Sequence, residues 1–477
     1  PPLDPTKLAA AFQDGEEFEN AKDMLSSVGV VHIDGNGVGA IMRDLGDAHR
    51  HAKEAGVCTT ATEVKTMPDD DLQSFIMTVN KHLDNVVKDA IALSWHEIQE
   101  LTPKTTVPIV PVLVGGDDVT VYTDGRYAIP FAEAYIRHYE KLTKDDDLLS
   151  VLAIVAGGKK PDAPERDHFE IRDYIIQNPG PLTASAGVAI VGRNFPFHIA
   201  YDLAEELVSR GKKLGKKPGT VPCSTINFHV LRDATVLDPD DTLDEYKGRT
   251  QRPFLIGCYA PDRIGDATTT SCEKAPTAKP QPLSSWARIL QAVAAFDGKK
   301  PDDPTQTSGD PFPRARANRI VKLLAKYVTV PKDDKARSEC LGYVLKDNEQ
   351  AFATQEQIDN DKQKPDDDKQ KSDDVKRITK RCNHPICAIR LEWTDAQENA
   401  RGTKALVKAL GVLPSKMRLD DPDEHTEDCI EQVRWLLDLI DLSGNLPDGY
   451  LASRIRGDAD IFGSTEAADD STEGGAQ

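Results

Sequence analysis

Cysteine is sparse in this chain, and no long hydrophobic run occurs in it. The eight cysteines are scattered over 477 positions, unlike the dense disulfide framework of a small secreted protein, so a reducing setting is favoured. No segment approaches the roughly 18 consecutive apolar residues of a membrane span, and the polar, acidic start does not resemble a signal peptide. We therefore predict a cytoplasmic protein with no membrane partner.

Basic residues are also in deficit, because 59 lysines and arginines stand against 79 aspartates and glutamates, a formal net charge of -20. A protein that wraps duplex nucleic acid needs clustered Lys and Arg to neutralise phosphates, so the composition argues against that class while leaving room for a local basic patch. The length allows two or three domains of roughly 150 residues each. We expect one catalytic domain and one accessory domain.

The order of apolar and turn-forming segments predicts a mixed α+β fold. A valine- and isoleucine-rich run at 28–34 predicts a buried strand that leads into a glycine-rich loop and then a helix through Met42 and Leu45. Apolar residues recurring every three to four positions predict a long helix from Leu72. Two apolar runs around GGDD (115–118) predict a β-hairpin with the acidic pair at its tip. Further predicted elements are helices at 126–142 and 195–213, and strands at 183–191 and 224–231.

This predicted order contains the split βαββαβ arrangement of ferredoxin-like and palm folds, which puts both acidic motifs on neighbouring central strands. Beyond residue 240 the pattern is mainly helical, with candidates at 284–297, 314–328, 403–411 and 426–441. Residues 355–376 carry too few apolar groups to offset their ordering entropy, and we expect them to be flexible. The predicted units are an N-terminal segment 1–27, a palm domain 28–240 with an insertion at 144–180, a linker 241–282, a helical domain 283–463 and a disordered tail 464–477.

Two acidic, glycine-rich motifs, HIDGNGVG at 32–39 and VGGDDV at 114–119, each lie at a predicted strand end. Nucleotidyl transfer uses two divalent ions, which lower the pKa of an attacking hydroxyl and neutralise charge on the phosphates. Magnesium prefers oxygen ligands, usually one or two carboxylates with phosphates and water. Asp34 facing Asp117 or Asp118 on the adjacent hairpin supplies such ligands, so the two motifs together predict a nucleotidyl transfer site.

Glycines around these carboxylates predict room for a triphosphate, because they let the backbone approach the phosphates closely, and the following helix N-terminus offers unpaired N–H groups. Asn36 either contacts the substrate or occupies a left-handed turn position. The main basic cluster, Arg210, Lys212, Lys213, Lys216 and Lys217, is expected to send one or two residues to the β- and γ-phosphates. The predicted nucleotide-binding residues are Gly35, Asn36, Gly37, Val38, Gly39, Gly115, Gly116, Arg210, Lys212 and Lys213.

Several segments together resemble the catalytic palm of the large subunit of type III CRISPR complexes, a palm that is itself related to GGDEF diguanylate cyclases. The resemblance covers roughly residues 28–231, and the GGDD hairpin is its most specific part. A segment at 252–259 (RPFLIGCY) also resembles the exit from that palm. The segments that carry the resemblance are DGNGVG (34–39), GGDD (115–118), SAGVAI (185–190), PFHIAYDLAEELVSRGKK (196–213) and STINFHV (224–230).

The resemblance implies a cyclase that condenses ATP into cyclic oligoadenylates, with pyrophosphate released and a separate effector activated in antiviral defence. It implies that Asp34, Asp117 and Asp118 are catalytic and hold two Mg²⁺ or Mn²⁺ ions, with Ile33 as a further metal-binding residue. Standalone relatives make cyclic dinucleotides. Because the sequence contains a single such palm, we expect a homodimer or a second palm-containing subunit, and the resemblance implies an RNA-guided complex as a further partner. No adjacent His-Asp dipeptide supports an HD nuclease domain.

Other interpretations remain open on the sequence alone. A scaffold or RNA-effector subunit would keep the palm as architecture, a template-directed polymerase would need a basic channel, and a diguanylate-type cyclase would use a different base. Cys382, His384 and Cys387 lie within zinc-ligand reach of one another, but no second ligand pair accompanies them, so a zinc site is the less favoured interpretation. His32 is expected to be packed or hydrogen-bonded rather than catalytic.

Overall fold

The computed structural model describes the central part of the chain and separate stretches near its C-terminus. The predictions for residues 1–26, for the linker beyond 257, for 355–376, for Cys382, His384 and Cys387, and for the tail lie outside the described residues. Within the described ranges, no helix combines the length and the apolar character needed to cross a membrane. The described residues are 27–57, 72–102, 109–156, 180–216, 222–231, 238–257, 285–328, 389, 392–393, 396, 406, 433–447 and 449–457.

Six strands of the described residues form one mixed sheet in the order β2-β3-β1-β4-β5-β6. The first strand pairs antiparallel with both β3 and β4, and β4 pairs parallel with β5. The strand of Asp34 and the GGDD hairpin are therefore neighbours, as predicted. The strands are β1 (Ser27–Asn36), β2 (Ile109–Gly115), β3 (Asp118–Asp124), β4 (Thr183–Gly192), β5 (Ser224–Val230) and β6 (Phe254–Ile256).

Helices cover both faces of this sheet, so the fold is the mixed α/β arrangement expected. Alternate residues of β1 lie on opposite faces of the sheet, because successive side chains in a strand point to opposite sides. Val31 and Ile33 belong to the core shared with α3 and α4, whereas Val28 and Val30 pack with α6. The helices before the C-terminal part are α1 (Val38–Arg43), α2 (Leu45–Glu54), α3 (Leu72–Leu101), α4 (Gly125–Asp145), α5 (Asp147–Ala156), α6 (Phe197–Gly215) and α7 (Pro239–Glu245).

Two segments differ in detail from their sequence-based description. The single helix expected after the DGNGVG loop is two helices, because Asp44 leaves helical geometry at φ -116° and ψ 51°. The region 144–180, expected as an insertion around a short apolar segment, begins with the end of α4 and with α5, which packs against α1, α2 and α3. Its apolar residues Leu149 and Leu152 are fully buried, so this part belongs to the core.

The C-terminal helices share the apolar core of α3 and α4. Ion pairs join them to the rest of the chain. Arg454 bonds Glu97 of α3 in a partly buried pair, and Arg252 bonds Asp438 and Asp441 in buried pairs. The predicted helices at 284–297 and 314–328 are confirmed, and a short last helix was not predicted. These elements are α8 (Trp286–Phe296), α9 (Arg314–Val328), α10 (Leu436–Asn445) and α11 (Tyr450–Gly457).

Candidate functional site

Asp34 lies near the end of β1, under the C-terminal part of α6. Lys212 of α6 reaches down to it, and the Nζ of Lys212 donates a hydrogen bond to Oδ2 of Asp34. The two side chains remain partly open to solvent, at 23% exposure for Lys212 and 29% for Asp34. This edge of the sheet therefore carries a carboxylate with a cation beside it, and both are accessible to a ligand.

Asp117 comes to the same place from the tip of the hairpin. The turn between β2 and β3 is tight because Gly116 adopts φ +60°, a left-handed conformation that favours glycine. A Cβ at Gly35 would lie 2.8 Å from both the Cβ and the Oδ2 of Asp117. The absence of a side chain at position 35 is thus what admits the Asp117 carboxylate beside β1.

Asp118 opens β3 and lies on the α6 face of the sheet, since it alternates with Thr120 and Tyr122, and Tyr122 belongs to the core under α6. Asp117 reaches the other side of β1, next to Gly35. The carboxylates predicted from two separate motifs therefore meet around the end of one strand, with Asp34 and Asp118 on its α6 face and Asp117 on the opposite side.

Burial and the nearby charge of Asp34 change the proton affinities of Asp117 and Asp118. Burial, and then the charge of Asp34, raises the pKa of Asp117 to about 6, while Lys212 opposes the rise. Burial and Asp34 likewise raise the pKa of Asp118. Like charges gathered in a partly desolvated place favour the protonated form. The cluster is therefore an environment that would gain from a bound cation.

His32 is packed and hydrogen-bonded, as expected. Its Nδ1 shares a hydrogen bond of 3.1 Å with Oγ1 of Thr120, and its ring meets that of Tyr201 edge to face at 5.3 Å. Burial lowers the pKa of His32, which favours the neutral imidazole. Its role is to hold β1, β3 and α6 together two residues before Asp34.

The predicted nucleotide-binding loops leave space beside their glycine residues. Gly37 has φ +91° and begins the six-residue helix α1. A Cβ at Gly39, Gly115 or Gly116 would meet no atom of the described residues within 4 Å. The side chain of Val38 instead faces the core, where it is 3% exposed, so this residue can offer a ligand only its main chain.

Ile33 was predicted to bind metal beside Asp34. Its side chain is fully buried in the core shared with α3 and α4, on the opposite face of β1 from Lys212. Like Val38, it therefore has only its main chain to offer at the strand end.

The side chain of Asn36 is buried and bonded to neighbouring strands, so the prediction that it contacts the nucleotide needs correction. Its Nδ2 donates to the carbonyl oxygen of Cys223 at 3.4 Å, and its Oδ1 accepts from Oγ of Ser185 at 3.0 Å. The side chain is buried because β4 and β5 lie directly beside it. Asn36 ties three strands together instead.

The predicted basic cluster is divided between two sides of α6. Whereas Lys212 bonds Asp34, Arg210 forms ion pairs with Glu206 of its own helix and with Asp240 and Asp244 of α7. Lys213 lines a cavity beside Arg210 on that second side. Successive helix residues are about 100° apart, so neighbours in sequence cannot all face one ligand. Arg210 and Lys213 therefore lie on a different side of α6 from Asp34, and their position lends no support to the predicted contact with phosphates. Lys217 lies outside the described residues.

Sequence reasoning missed further side chains around the cluster. Tyr201 and Glu205 of α6 lie close enough to Asp118 to interact with it electrostatically. Their positions, eleven and seven residues before Lys212, are the helical spacing that could have revealed them. Below the cluster, the hydroxyls of Tyr135 and Tyr139 are buried and have no hydrogen-bond partner among the described residues.

The donor set suits a hard divalent ion in its chemistry, because carboxylate oxygens are what Mg²⁺ prefers. Gly35 leaves the space in which Asp117 approaches β1. In the present conformation, however, no three His, Cys, Asp or Glu side chains of the described residues are grouped tightly enough to enclose a metal ion. Instead, the ammonium group of Lys212 forms an ion pair with the Asp34 carboxylate. A bound ion would therefore compete with that ammonium group for Asp34.

Comparison with known proteins identifies no relative that could decide the function. No family model matches the sequence, and no curated protein matches it at a significant level. The assignment of a function therefore depends on the site's own geometry and on the motifs that form it.

Proposed function

We propose that this chain is a metal-dependent nucleotidyl transferase with a palm fold, which condenses ATP into a cyclic oligonucleotide and releases pyrophosphate. The product would activate a separate effector in antiviral defence, as the resemblance to the large subunit of type III CRISPR complexes implies. The observation that carries the proposal is the convergence of Asp34 with Asp117 and Asp118, beside Lys212.

The sheet topology supports the palm part of this proposal. Strands β1 and β2 are separated by β3, strands β3 and β4 are separated by β1, and both central pairs are antiparallel. A split βαββαβ unit has this arrangement. It brings the end of β1 and the tip of the β2-β3 hairpin to one edge, which is where a palm enzyme needs its carboxylates.

Asp34, Asp117 and Asp118 are the residues that would hold divalent ions. Ions bound there would supply the charge that activates an attacking hydroxyl and neutralises the departing pyrophosphate. The protein's own contribution is to gather like charges whose repulsion a cation relieves, since burial and Asp34 already raise the pKa of Asp117 to about 6. Ion binding and release of the Asp117 proton are therefore coupled.

Lys212 has a second position open to it in this proposal. Its ammonium group neutralises Asp34 in the structure, and it carries three N–H donors that suit phosphate oxygens equally well. With a divalent ion held by Asp34, Lys212 would be available to bind the β- or γ-phosphate of the triphosphate. The same lysine would thus balance the charge of Asp34 without an ion and bind the substrate with one.

A second palm completes the proposed reaction, because two triphosphates must meet. The edge strand β2 supports this arrangement, since Val112, Leu113 and Val114 are 44%, 46% and 41% exposed directly beside the GGDD turn. Contiguous exposed apolar residues are typical of interaction surfaces. We propose that a second copy of the chain, or another palm-containing subunit, covers this strand.

Incubation of the purified protein with labelled ATP and Mg²⁺ tests the proposal, with pyrophosphate release and the mass of the product as readouts. Asp34→Asn and Asp118→Asn should lower turnover by more than about 100-fold, since even residues that only support a metal ligand are worth 10- to 100-fold. Asp84→Asn, which removes an exposed carboxylate paired with Lys88 on α3, is the matched control and should leave turnover unchanged.

The possible products separate the rival functions. A cyclic oligoadenylate would support the proposal. A cyclic diguanylate made from GTP would show that the chain is a cyclase with GTP rather than ATP as its substrate. Extension of a primer would indicate a polymerase. If the protein binds no nucleotide and releases no pyrophosphate from any of the four triphosphates, the proposal is wrong. Co-purification of such an inactive protein with guide RNA and further subunits would identify a scaffold.

A further inference from the structure

A continuous row of aromatic rings runs along α6 and β3 on the face that carries Asp34. The ring centroids of Tyr122 and Phe197 are 5.9 Å apart, and those of Phe197 and Tyr201 are 6.3 Å apart at an angle of 31°. Tyr201 in turn meets His32 at 5.3 Å. The row therefore ends two residues from Asp34.

Two of these rings are not enclosed by the core. Phe197, the first residue of α6, is 38% exposed, and Tyr201 one turn later is half-buried, whereas Tyr122 beneath them is buried. A large exposed aromatic side chain gains little for folding, because much of its apolar area still meets water. Phe197 and Tyr201 thus both present ring surface to solvent, although Tyr201 also packs against His32 and the core under α6.

The exposed rings lie within reach of a ligand bound at the carboxylates. In the sheet register, Tyr122 pairs with Val30 and Thr120 pairs with His32, and Asp118 follows at the start of β3. Four residues of strand at about 3.3 Å each separate Tyr122 from Asp118, or roughly 13 Å. The row runs towards the acidic cluster, so a ligand anchored there by its charged end can lay its other end on the rings.

We propose that Phe197 and Tyr201 form the stacking surface for the nucleobase of the triphosphate whose phosphates bind at Lys212 and the metal-binding carboxylates. This inference rests on the proposed function and adds the determinant that recognises the base. Bases stack on aromatic side chains through their π-faces, and such stacking tolerates different bases. The rings provide affinity for the nucleoside part, while Lys212 and the carboxylates engage the phosphates.

Binding of two ligands in the presence of Mg²⁺ tests this inference on the full chain. ATP carries both a base and a triphosphate, and inorganic tripolyphosphate carries only the phosphate part. Phe197→Ala should bind ATP about 5- to 150-fold more weakly than the wild type, the range that stacking energies for one base predict. Its affinity for tripolyphosphate should be unchanged. Met77→Ala, which removes a 63% exposed apolar side chain from α3, is the control and should alter neither affinity.

Two further variants separate stacking from packing. Phe197→Leu keeps an apolar side chain at the start of α6 but removes the π-face, so it should lose ATP affinity while unfolding at the same temperature as the wild type. Phe197→Trp should keep ATP affinity, and the fluorescence of the introduced indole should be quenched by ATP and not by tripolyphosphate.

The outcomes distinguish this inference from the proposed function beneath it. If the wild type binds ATP and both Phe197→Ala and Phe197→Leu bind it equally well, the stacking surface is refuted and the nucleotide site stands. Equal weakening of ATP and tripolyphosphate would also refute it, because the variant would then act on the phosphate site. If the wild type binds neither ligand, the proposed function itself is refuted.

Discussion

The Nζ of Lys212 donates a hydrogen bond to Oδ2 of Asp34, although the two residues lie 178 positions apart in the chain. This pair joins the end of α6 to the end of β1 at the point where the GGDD turn arrives. A lysine in this position competes with a metal ion for the carboxylate of Asp34. It can instead bind a phosphate group that arrives together with a metal ion. The first prediction follows from this competition.

Replacement of Lys212 by methionine should weaken binding of Mg²⁺-ATP by about 10- to 100-fold, because a hydrogen bond from a charged donor to phosphate is lost. Mg²⁺ alone should bind the same variant more tightly than the wild type, since Asp34 no longer has an internal counter-ion. Titration calorimetry measures both affinities. Lys213→Met, on the other side of α6, should weaken ATP binding much less; an equal loss in the two variants would contradict the assignment to Lys212.

We predict that Asp117 makes the free energy of unfolding depend on pH. Its pKa is about 6 in the folded protein against an ordinary value of 3.8, so the folded state binds the proton more tightly than the unfolded state. The resulting stabilisation is complete below about pH 4 and is lost as the pH rises through about 6, at about 1.4 kcal/mol per pKa unit. Urea denaturation between pH 4 and 8 should show this decline in the wild type.

Asp117→Asn should flatten that decline and should be more stable than the wild type at pH 8 without Mg²⁺. Mg²⁺ should stabilise the wild type at pH 8 and have little effect on the variant. The same pH profile in both proteins would show that the Asp117 carboxyl is not the group responsible.

Gly35 and Gly39 form a matched pair for mutation. Gly35→Ala should displace the Asp117 carboxylate, since the new Cβ would lie 2.8 Å from it, and should cost about 1–3 kcal/mol of stability together with Mg²⁺ affinity. Gly39→Ala should keep or raise stability, because a Cβ there meets no described residue and alanine favours helix. Thermal unfolding with and without Mg²⁺ checks both. A fall in activity for Gly39→Ala at unchanged stability would indicate that a ligand approaches this backbone.

We predict that Arg252 holds α10 against the rest of the fold. Its guanidinium bonds Asp438 and Asp441 of α10 and lies 4.4 Å from the ring centroid of Phe228. Arg252→Met should cost about 3–5 kcal/mol in urea denaturation, since it leaves buried carboxylates without a counter-charge. Burial raises the pKa of Asp438 to about 7, so the loss should be smaller at pH 6 than at pH 8, where protonation no longer relieves the charge.

The exposed pair of Lys88 and Asp84 provides the comparison for Arg252. Lys88→Met should change stability by less than about 1 kcal/mol, because surface ion pairs contribute little. If Arg252→Met were equally mild at both pH values, the buried ion pairs would not be what holds α10 in place.

Much of the sheet and the convergence of the motifs could be predicted locally. The run at 28–34 and the apolar segments around GGDD have the composition of strands, and the turn glycines mark where they end, so neighbouring strands were predictable without tertiary information. The division of the basic cluster was not, because it depends on the rotation of α6 about its axis once Leu203 and Leu207 are buried. Asn36 was misjudged for a related reason, since its partners Ser185 and Cys223 lie far away in the chain.

The sequence by itself determined that two carboxylate motifs end adjacent strands and that glycines surround them, because strand and turn propensities act over a few residues. Only the tertiary structure decided that Lys212 rather than Arg210 meets Asp34, that Phe197 and Tyr201 stay partly exposed, and that Arg252 is buried against α10. These outcomes depend on how helices are rotated and docked on the sheet. That rotation is set by the packing of the whole core, which no short stretch of sequence contains.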